Sequence, residues 1–295
     1  MINWKTKEKI VKYILLLFAF SSIVFLTGII IVLFKEGLPI FRTVGVFEFV
    51  FGKIWDPTFY PPDYGILPLL SASLLVTAGA MLFAVPIGIS SAIFISYILP
   101  EKLKNIIKPM VELLAGIPSV IYGLFGMRIL SPFLRDLFDL PMGLIALTAS
   151  IMLGIMALPT IVSLAEDAIT AVPKSFRDAS LALGGTRWET ISKSILPTAS
   201  SGIFTAVILG ISRAIGETMT VLMVAGGAPM IAKSFLIPVR PMTANIAAEM
   251  GETAIGSNHY HALFGIGIIL FLMTLFFNII ADIVAVRFRK KVAGE

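Results

Sequence analysis

Residues 140–165 read LPMGLIALTASIMLGIMALPTIVSLA and contain no charged side chain. A helix needs about 20 apolar residues to cross the hydrocarbon core of a bilayer, so this stretch is long enough to span a membrane. The whole chain shares its character: of 295 residues, 57% are apolar and only 14% are charged. Soluble domains have roughly 25% charged residues. The composition excludes a typical soluble enzyme, a disordered protein and a nucleic-acid binder, and it predicts an all-α polytopic membrane protein in a lipid bilayer.

Similar charge-poor windows recur and predict six transmembrane helices. The windows are Tyr13–Phe34, Tyr64–Pro100 (with one long helix expected over about Leu70–Leu99), Leu113–Met127, Leu140–Ala165, Ser194–Ala232 and Ala262–Ala281. The first exceeds the apolar core of a signal peptide, which predicts an uncleaved helix. The third is short and interrupted by glycine and proline, so we expect it to pack inside the bundle, where irregular backbone is tolerated. The chain has no cysteine, which excludes disulfides and thiolate metal sites.

The basic residues predict the orientation of the chain. Six spans put both termini on one side, and most of the 23 Lys and Arg residues then fall on that side. The positive-inside rule therefore predicts cytoplasmic N and C termini. The resulting segments are a cytoplasmic stretch (1–12), a first transmembrane helix (13–34), an extracytoplasmic loop (35–66), a transmembrane domain of five helices (67–285) that includes a cytoplasmic loop (166–197), and a basic cytoplasmic tail (286–295).

The loop 166–197 has strong helix punctuation. Pro173 suits the start of a short helix, and Gly184 and Gly185 suit its end. Thr186-Arg187-Trp188-Glu189 fits a capping box, in which Thr and Glu satisfy each other's backbone donors. The pattern predicts a helix, a sharp glycine turn and a second helix that enters the membrane near Pro197.

The same loop resembles the EAA loop of bacterial ABC importer permeases. The resemblance rests on Asp178, Ala179, Ser180, Gly184, Leu196 and Pro197. Asp178 replaces the usual Glu and Ser194 the usual Ile, but the spacing is intact. The resemblance implies a type I ABC importer permease fold, with residues 175–185 forming the coupling helix that docks on an ATPase subunit.

Further segments resemble permeases of the phosphate-specific ABC importer. They are Leu113–Gly123, Ser212–Met219, Thr243–Ala247 and the first outer loop around Trp55-Asp56-Pro57, the last being closer to the PstC-type than to the PstA-type subunit. The resemblance implies inorganic phosphate as cargo, a second permease of PstA type, two ATP-binding subunits, an extracytoplasmic phosphate-binding protein and the inner membrane of a prokaryote. The chain has no G-x-x-x-x-G-K-[ST] motif, so we expect no cofactor here, with ATP and Mg on the partner ATPases.

Arg213 and Glu217 interrupt the fifth window, which we expect to be helical over about Gly202–Gly227. A charge near the bilayer centre costs about 2.5 to 3.5 kcal/mol on insertion scales, so both should face the bundle interior or water. Four residues apart on one helix they can touch, which predicts that Glu217 holds Arg213 when the site is empty. The alternative is an ion pair that only joins helices.

The resemblance places Arg213 and Glu217 in the phosphate path. Arg213 offers paired donors that match phosphate oxygens. Ser119, in the glycine-rich stretch 116–123, is a further candidate lining residue, although close helix packing explains those glycines equally well.

Three other features have simpler interpretations. Glu112 is expected to pair with Lys108 on the surface. His259 and His261 are too few for a zinc site, which needs three or four ligands. Residues 241–256 predict an amphipathic surface helix with Ile246, Ala247 and Met250 on its apolar face and Glu249 and Glu252 opposite.

There are three alternatives to phosphate import. The same architecture would serve another oxyanion or a small solute. An intramembrane enzyme lacks support because the chain has no H-E-x-x-H or G-x-S-x-G motif. A passive channel would not need the coupling loop.

Overall fold

The computed structural model describes residues 4–293, which are almost entirely helical. The helices are α1 (Trp4–Thr43), α2 (Val46–Phe51), α3 (Leu67–Ile93), α4 (Glu101–Ala115), α5 (Ser119–Phe125), α6 (Ser131–Leu137), α7 (Ala146–Thr170), α8 (Lys174–Ala182), α9 (Arg187–Glu189), α10 (Leu196–Gly216), α11 (Met219–Val224), α12 (Met242–Glu249) and α13 (Asn258–Ala293). Short π-helical segments continue α3 (Phe94–Ile98) and α5 (Gly126–Leu130) and join α9 to α10 (Thr190–Ile195), and a 3₁₀ turn (Met250–Glu252) follows α12. Strands β1 (Trp55–Asp56) and β2 (Asp63–Tyr64) pair antiparallel, with Trp55 opposite Tyr64.

The prediction of six transmembrane helices is confirmed, with one span broken. Within residues 4–293, five helices are long and apolar enough to cross a membrane. The sixth span is a bent pair, Glu101–Ala115 followed by Ser119–Leu137, whose axes differ by 88°. The bend falls at Gly116–Pro118 because proline disfavours the helical conformation of the residue before it.

The expected interior position of Leu113–Met127 is only partly correct, because Gly123 and Gly126 are buried whereas most of the segment is exposed. Helix α4 has no buried residue, and α5 exposes Ile121, Leu124 and Phe125. Exposed apolar side chains of this kind are covered in a membrane by lipid or by another subunit. The irregular backbone at the bend is satisfied instead by hydrogen bonds from two neighbouring side chains, described below.

Helix α7 is the centre of the bundle and packs against α3, α10 and α4. Glycine permits a close crossing of α3 and α7, because a Cβ at Gly88 of α3 would lie only 2.7 Å from Ile161 Cγ2 of α7. Helix α3 matches the expected single long helix over Leu70–Leu99, with Pro86 inside it. Helices α1 and α13 pack on each other. Together with Phe49 of α2 they form a separate cluster of buried apolar side chains.

The fifth span ends earlier than Gly227. Helix α10 stops at Gly216, and Glu217 has an extended backbone (φ −69°, ψ 132°). The chain restarts as the short helix α11 and then runs through Gly226 and Gly227, both with positive φ, to Arg240. Arg213 therefore lies on the last turn of a helix beside a break in the backbone, and not in the middle of a continuous helix.

Candidate functional site

Arg213 joins three helices. Its guanidinium Nη1 donates to Thr160 Oγ1 of α7 at 2.8 Å, and Nη2 donates to the backbone oxygen of Ala115, the last residue of α4, at 3.2 Å. A guanidinium has five N–H donors, and the described part of the chain provides acceptors for two of them. The side chain is half-buried, so the remaining donors are open to an anion or to water.

The end of α4 depends on this arginine. The last carbonyls of a helix have no partner within the helix. Here the hydroxyl of Tyr122 donates to the oxygen of Leu114 at 2.9 Å, and Arg213 donates to that of Ala115. These two side chains hold the bend between α4 and α5 at the level of Thr160, which lies near the middle of α7.

Glu217 does not hold Arg213, contrary to the prediction from their spacing. The two side chains form no ion pair within residues 4–293; one Glu217 carboxylate oxygen instead accepts from the backbone N–H of Thr220 at 3.0 Å. The backbone oxygen of Glu217 accepts from the hydroxyl of Thr243 at 2.7 Å. The carboxylate thus satisfies a free donor at the start of α11, and the helix break removes the common face that four-residue spacing requires.

Ser119 is joined to Glu217 through a shared neighbour, Thr220. It is the first residue of α5, and its backbone oxygen accepts from the hydroxyl of Thr220 at 3.0 Å. Thr220 is fully buried, and with its N–H bound to Glu217 it ties the broken fifth span to the broken third span. The Ser119 hydroxyl itself has no hydrogen-bond partner in the described chain and is half-buried.

Sequence reasoning missed the residues that support these three. Thr160, Tyr122, Thr220 and Thr243 supply the hydrogen bonds, yet each is a neutral residue in or beside an apolar window. The signal for Thr160 was its spacing: Thr160, Ser163, Glu166 and Thr170 recur every three or four residues and form a polar stripe on α7.

That stripe faces α4 and carries a buried carboxylate. Glu166 is 1% exposed and accepts from Lys104 Nζ at 2.6 Å and from Thr170 Oγ1 at 2.6 Å. Lys108 pairs with both Glu166 and Asp167. The expected Lys108–Glu112 pair is therefore wrong, because the buried Glu166 competes for the ammonium and, among the described residues, Glu112 accepts a hydrogen bond from Ser163 alone, at 3.4 Å. These contacts fasten α4 along α7.

The loop 166–197 has the predicted helix, glycine turn and helix. Gly184 follows α8 with φ +84°, a conformation that suits glycine, and the capping box of Thr186 and Glu189 is present in both directions. Asp178 and Ala179 are exposed on α8, whereas the Ser180 hydroxyl lies 3.0 Å from that of Thr190. Leu196 and Pro197 begin α10, so the loop is joined to the helix of Arg213 without an intervening coil.

The two histidines near the start of α13 face different partners. His259 Nε2 lies 2.9 Å from Glu249 Oε2, and His261 Nδ1 lies 2.7 Å from the backbone oxygen of Glu36. Glu249 also accepts from Arg240 Nη1 at 2.7 Å and from Trp55 Nε1 at 3.2 Å.

The expected faces of the segment 241–256 are only partly correct. Helix α12 buries Met242 and Asn245, whereas Ala247 is exposed. Glu249 is 18% exposed in its ion-pair cluster and does not point into solvent. The cluster overrides the hydrophobic pattern because a carboxylate that is paired with Arg240 and hydrogen-bonded by Trp55 can be buried at lower cost.

Comparison with known proteins identifies the family. Residues 84–294 match the family described as "Binding-protein-dependent transport system inner membrane component". A Bacillus subtilis protein described as "Probable ABC transporter permease protein YqgH" is 40% identical over 85% of this chain and 82% of its own length. A Mesorhizobium japonicum "Phosphate transport system permease protein PstC" is 34% identical over 91% of this chain and 87% of its own length. A Methanocaldococcus jannaschii "Probable phosphate transport system permease protein PstC" is 30% identical over 88% of each chain.

A solved structure shows the same fold. The inward-facing MetNI methionine ABC transporter matches 74% of this chain and 93% of its own with a TM-score of 0.58 and 19% identity. Membership of the family implies a multi-pass membrane subunit that is not itself an enzyme and that works with a second permease, separate ATPase chains and a binding protein. The chain belongs to the binding-protein-dependent inner-membrane component family and is a permease subunit of an ABC importer.

Proposed function

We propose that this chain is the PstC-type permease of an ATP-driven importer of inorganic phosphate, and that Arg213 contacts the phosphate. The observation that carries the proposal is how the Arg213 guanidinium is bound. It donates to two neutral oxygens, and its other N–H groups have no acceptor within the described chain. Relatives described as phosphate permeases support the cargo. Arginine matches phosphate because two parallel N–H groups can bind two oxygens at once.

The groups around Arg213 suit an oxyanion. The Ser119 hydroxyl, at the start of the helix that follows the bend held by Arg213, can donate to a phosphate oxygen, and Gly216 and Met219 are exposed on either side of the helix break. Glu217 is an organiser of this break through Thr220 and Thr243, and we assign it no direct phosphate contact.

The loop 166–197 would transmit the movement of the ATPase subunits to the transmembrane helices. ATP and Mg would bind only on the partner ATPases, whose closure would move α8 and its exposed residue Asp178. Because the loop continues into α10, movement at Leu196 would be transmitted along about 25 Å of helix to Arg213. The motion would shift Arg213 against Thr160, and so change access to the phosphate from one side of the membrane to the other.

The remaining parts of the proposal concern placement. Both termini and the loop 166–197 would lie in the cytoplasm of a prokaryote, with the loop 35–66 outside the inner membrane facing a phosphate-binding protein. The exposed apolar surface of α4 and α5 would contact a second permease of PstA type.

Uptake of labelled phosphate tests the proposal. The complete complex is reconstituted in liposomes and assayed with and without ATP, first unchanged and then with Arg213→Gln. The matched control is Arg135→Gln, because Arg135 is exposed and, within the described residues, pairs with its neighbour Asp136 alone. We expect ATP-dependent uptake that Arg213→Gln abolishes and Arg135→Gln retains.

The cargo is tested by competition in the same assay. Excess sulfate or arsenate and small organic solutes are added to the intact complex. Preferential block by a different oxyanion or solute would replace phosphate as the cargo, and phosphate uptake by the Arg213→Gln complex would remove the site assignment.

A further inference from the structure

A cavity of about 310 Å³ lies beside the coupling loop, away from Arg213. Tyr97 and Ile98, at the end of the span Leu67–Ile98, form one wall. Arg177 of α8 and Arg187 and Trp188 of α9 form the other walls. The cavity is therefore located where a membrane-spanning helix meets the loop.

The cavity is strongly basic. Arg177 and Arg187 form no ion pair or hydrogen bond with any other residue in 4–293, and no carboxylate lines the cavity. Arg177 and Tyr97 line the same cavity, so this arginine lies beside the end of the membrane-spanning helix. Two uncompensated guanidinium groups around one cavity favour an anionic group that accepts several hydrogen bonds.

The surface next to the cavity is apolar. Ile98 is 61% exposed and Phe94, one turn earlier, is 46% exposed on the membrane-spanning helix. Trp188 is 66% exposed, and tryptophan and tyrosine are typical of the boundary between hydrocarbon and headgroups. A basic cavity that borders an exposed apolar helix surface matches the two parts of an anionic phospholipid, a charged headgroup and apolar acyl chains.

We propose that this cavity binds the headgroup of an anionic phospholipid. Arg177 and Arg187 would hold the lipid phosphate, and Phe94 and Ile98 would contact an acyl chain. The bound lipid would link α8 to the end of α3 and so steady the coupling loop against the membrane. Asp178 of the coupling helix and the loop tip at Leu183, which is 90% exposed, do not line the cavity and stay free for the ATPase subunit. The inference does not depend on which solute the importer carries.

Lipid binding by the assembled complex tests the proposal. The complex is placed in phosphatidylcholine nanodiscs with increasing shares of phosphatidylglycerol, and bound lipid is counted by mass spectrometry after release. We expect a saturable phosphatidylglycerol site whose apparent affinity falls roughly 30-fold in Arg177→Gln/Arg187→Gln. Arg187→Gln alone changes one exposed side chain, which protects against failure to fold, and should cost about fivefold.

The control removes the same charge nearby. Lys102 and Lys174 are exposed, lie on the same side of the bundle and do not line the cavity. Lys102→Gln/Lys174→Gln should keep the affinity within about twofold. Equal loss in both double variants would show a general surface charge effect and overturn the site. Displacement of the lipid by inorganic phosphate alone, or loss of the ATPase subunit from the arginine variant with normal lipid binding, would overturn it as well.

Discussion

Thr160→Val tests whether Arg213 must be held in place. The change keeps the side-chain shape and removes the hydroxyl oxygen that accepts from Nη1 at 2.8 Å. A hydrogen bond to a charged group is worth about 1.5 to 3 kcal/mol, and water can replace part of it because Arg213 is only half-buried. A net loss of about 1 to 2 kcal/mol predicts a fall of roughly 5- to 30-fold in kcat/KM for phosphate uptake by the reconstituted complex.

Two controls separate positioning from damage to the fold. Thr160→Ser keeps the hydroxyl and should restore uptake to within about twofold. Thr205→Val removes a hydroxyl that bonds only to its own helix, at Ser201, and should have little effect. The reasoning is refuted if Thr160→Val transports phosphate as well as Thr205→Val at equal levels of assembled complex.

Three further substitutions test the loop and the seam between α4 and α7. Gly184→Val places a β-branched residue at φ +84° and should cut ATP-driven uptake at least tenfold, whereas Gly251→Ala, where the added Cβ meets nothing within 4 Å, should transport normally. Lys108→Met leaves Glu166 with one cation fewer and should lower the unfolding free energy by about 3 kcal/mol, seen as a lower Tm of the detergent-solubilised complex; an unchanged Tm contradicts the buried ion-pair cluster. Thr186→Ala removes the cap of α9 and should cost about 1 kcal/mol locally, seen as faster hydrogen exchange over 187–195; unchanged exchange would show that the cap does not stabilise this segment.

Local chemistry predicted the features that depend on neighbouring residues in the chain. The spans follow from apolar windows because a bilayer demands about 20 apolar residues wherever a helix crosses it. The turn at Gly184 and the cap at Thr186 follow from backbone requirements that few residue types meet, and both are present.

Features that depend on distant residues were not predictable in the same way. The spacing of Arg213 and Glu217 implied one helical face, but the helix ends between them, where the hydroxyl of Thr243, distant in the chain, donates to the backbone oxygen of Glu217. The bend after Ala115 was visible as Gly116 and Pro118, whereas the donor to the Ala115 carbonyl is Arg213, which is distant in the chain. Periodicity cannot reveal such partners because they are set by how the helices meet.

The absence of an Arg213–Glu217 pair within the described chain changes the energetics expected of the site. A carboxylate 4 Å from the guanidinium would interact by about 4 kcal/mol at an effective dielectric of 20, and an incoming anion would first have to offset that attraction. Thr160 and the Ala115 carbonyl orient Arg213 but carry no net charge, so its full positive charge stays available to an anion. Transport needs binding that is reversible on both sides, and a single guanidinium held by neutral acceptors combines attraction with easy release. Substituting Thr160 by a carboxylate should therefore weaken phosphate entry even though it would hold Arg213 more firmly, and faster uptake by Thr160→Asp in the assembled complex would disprove this account.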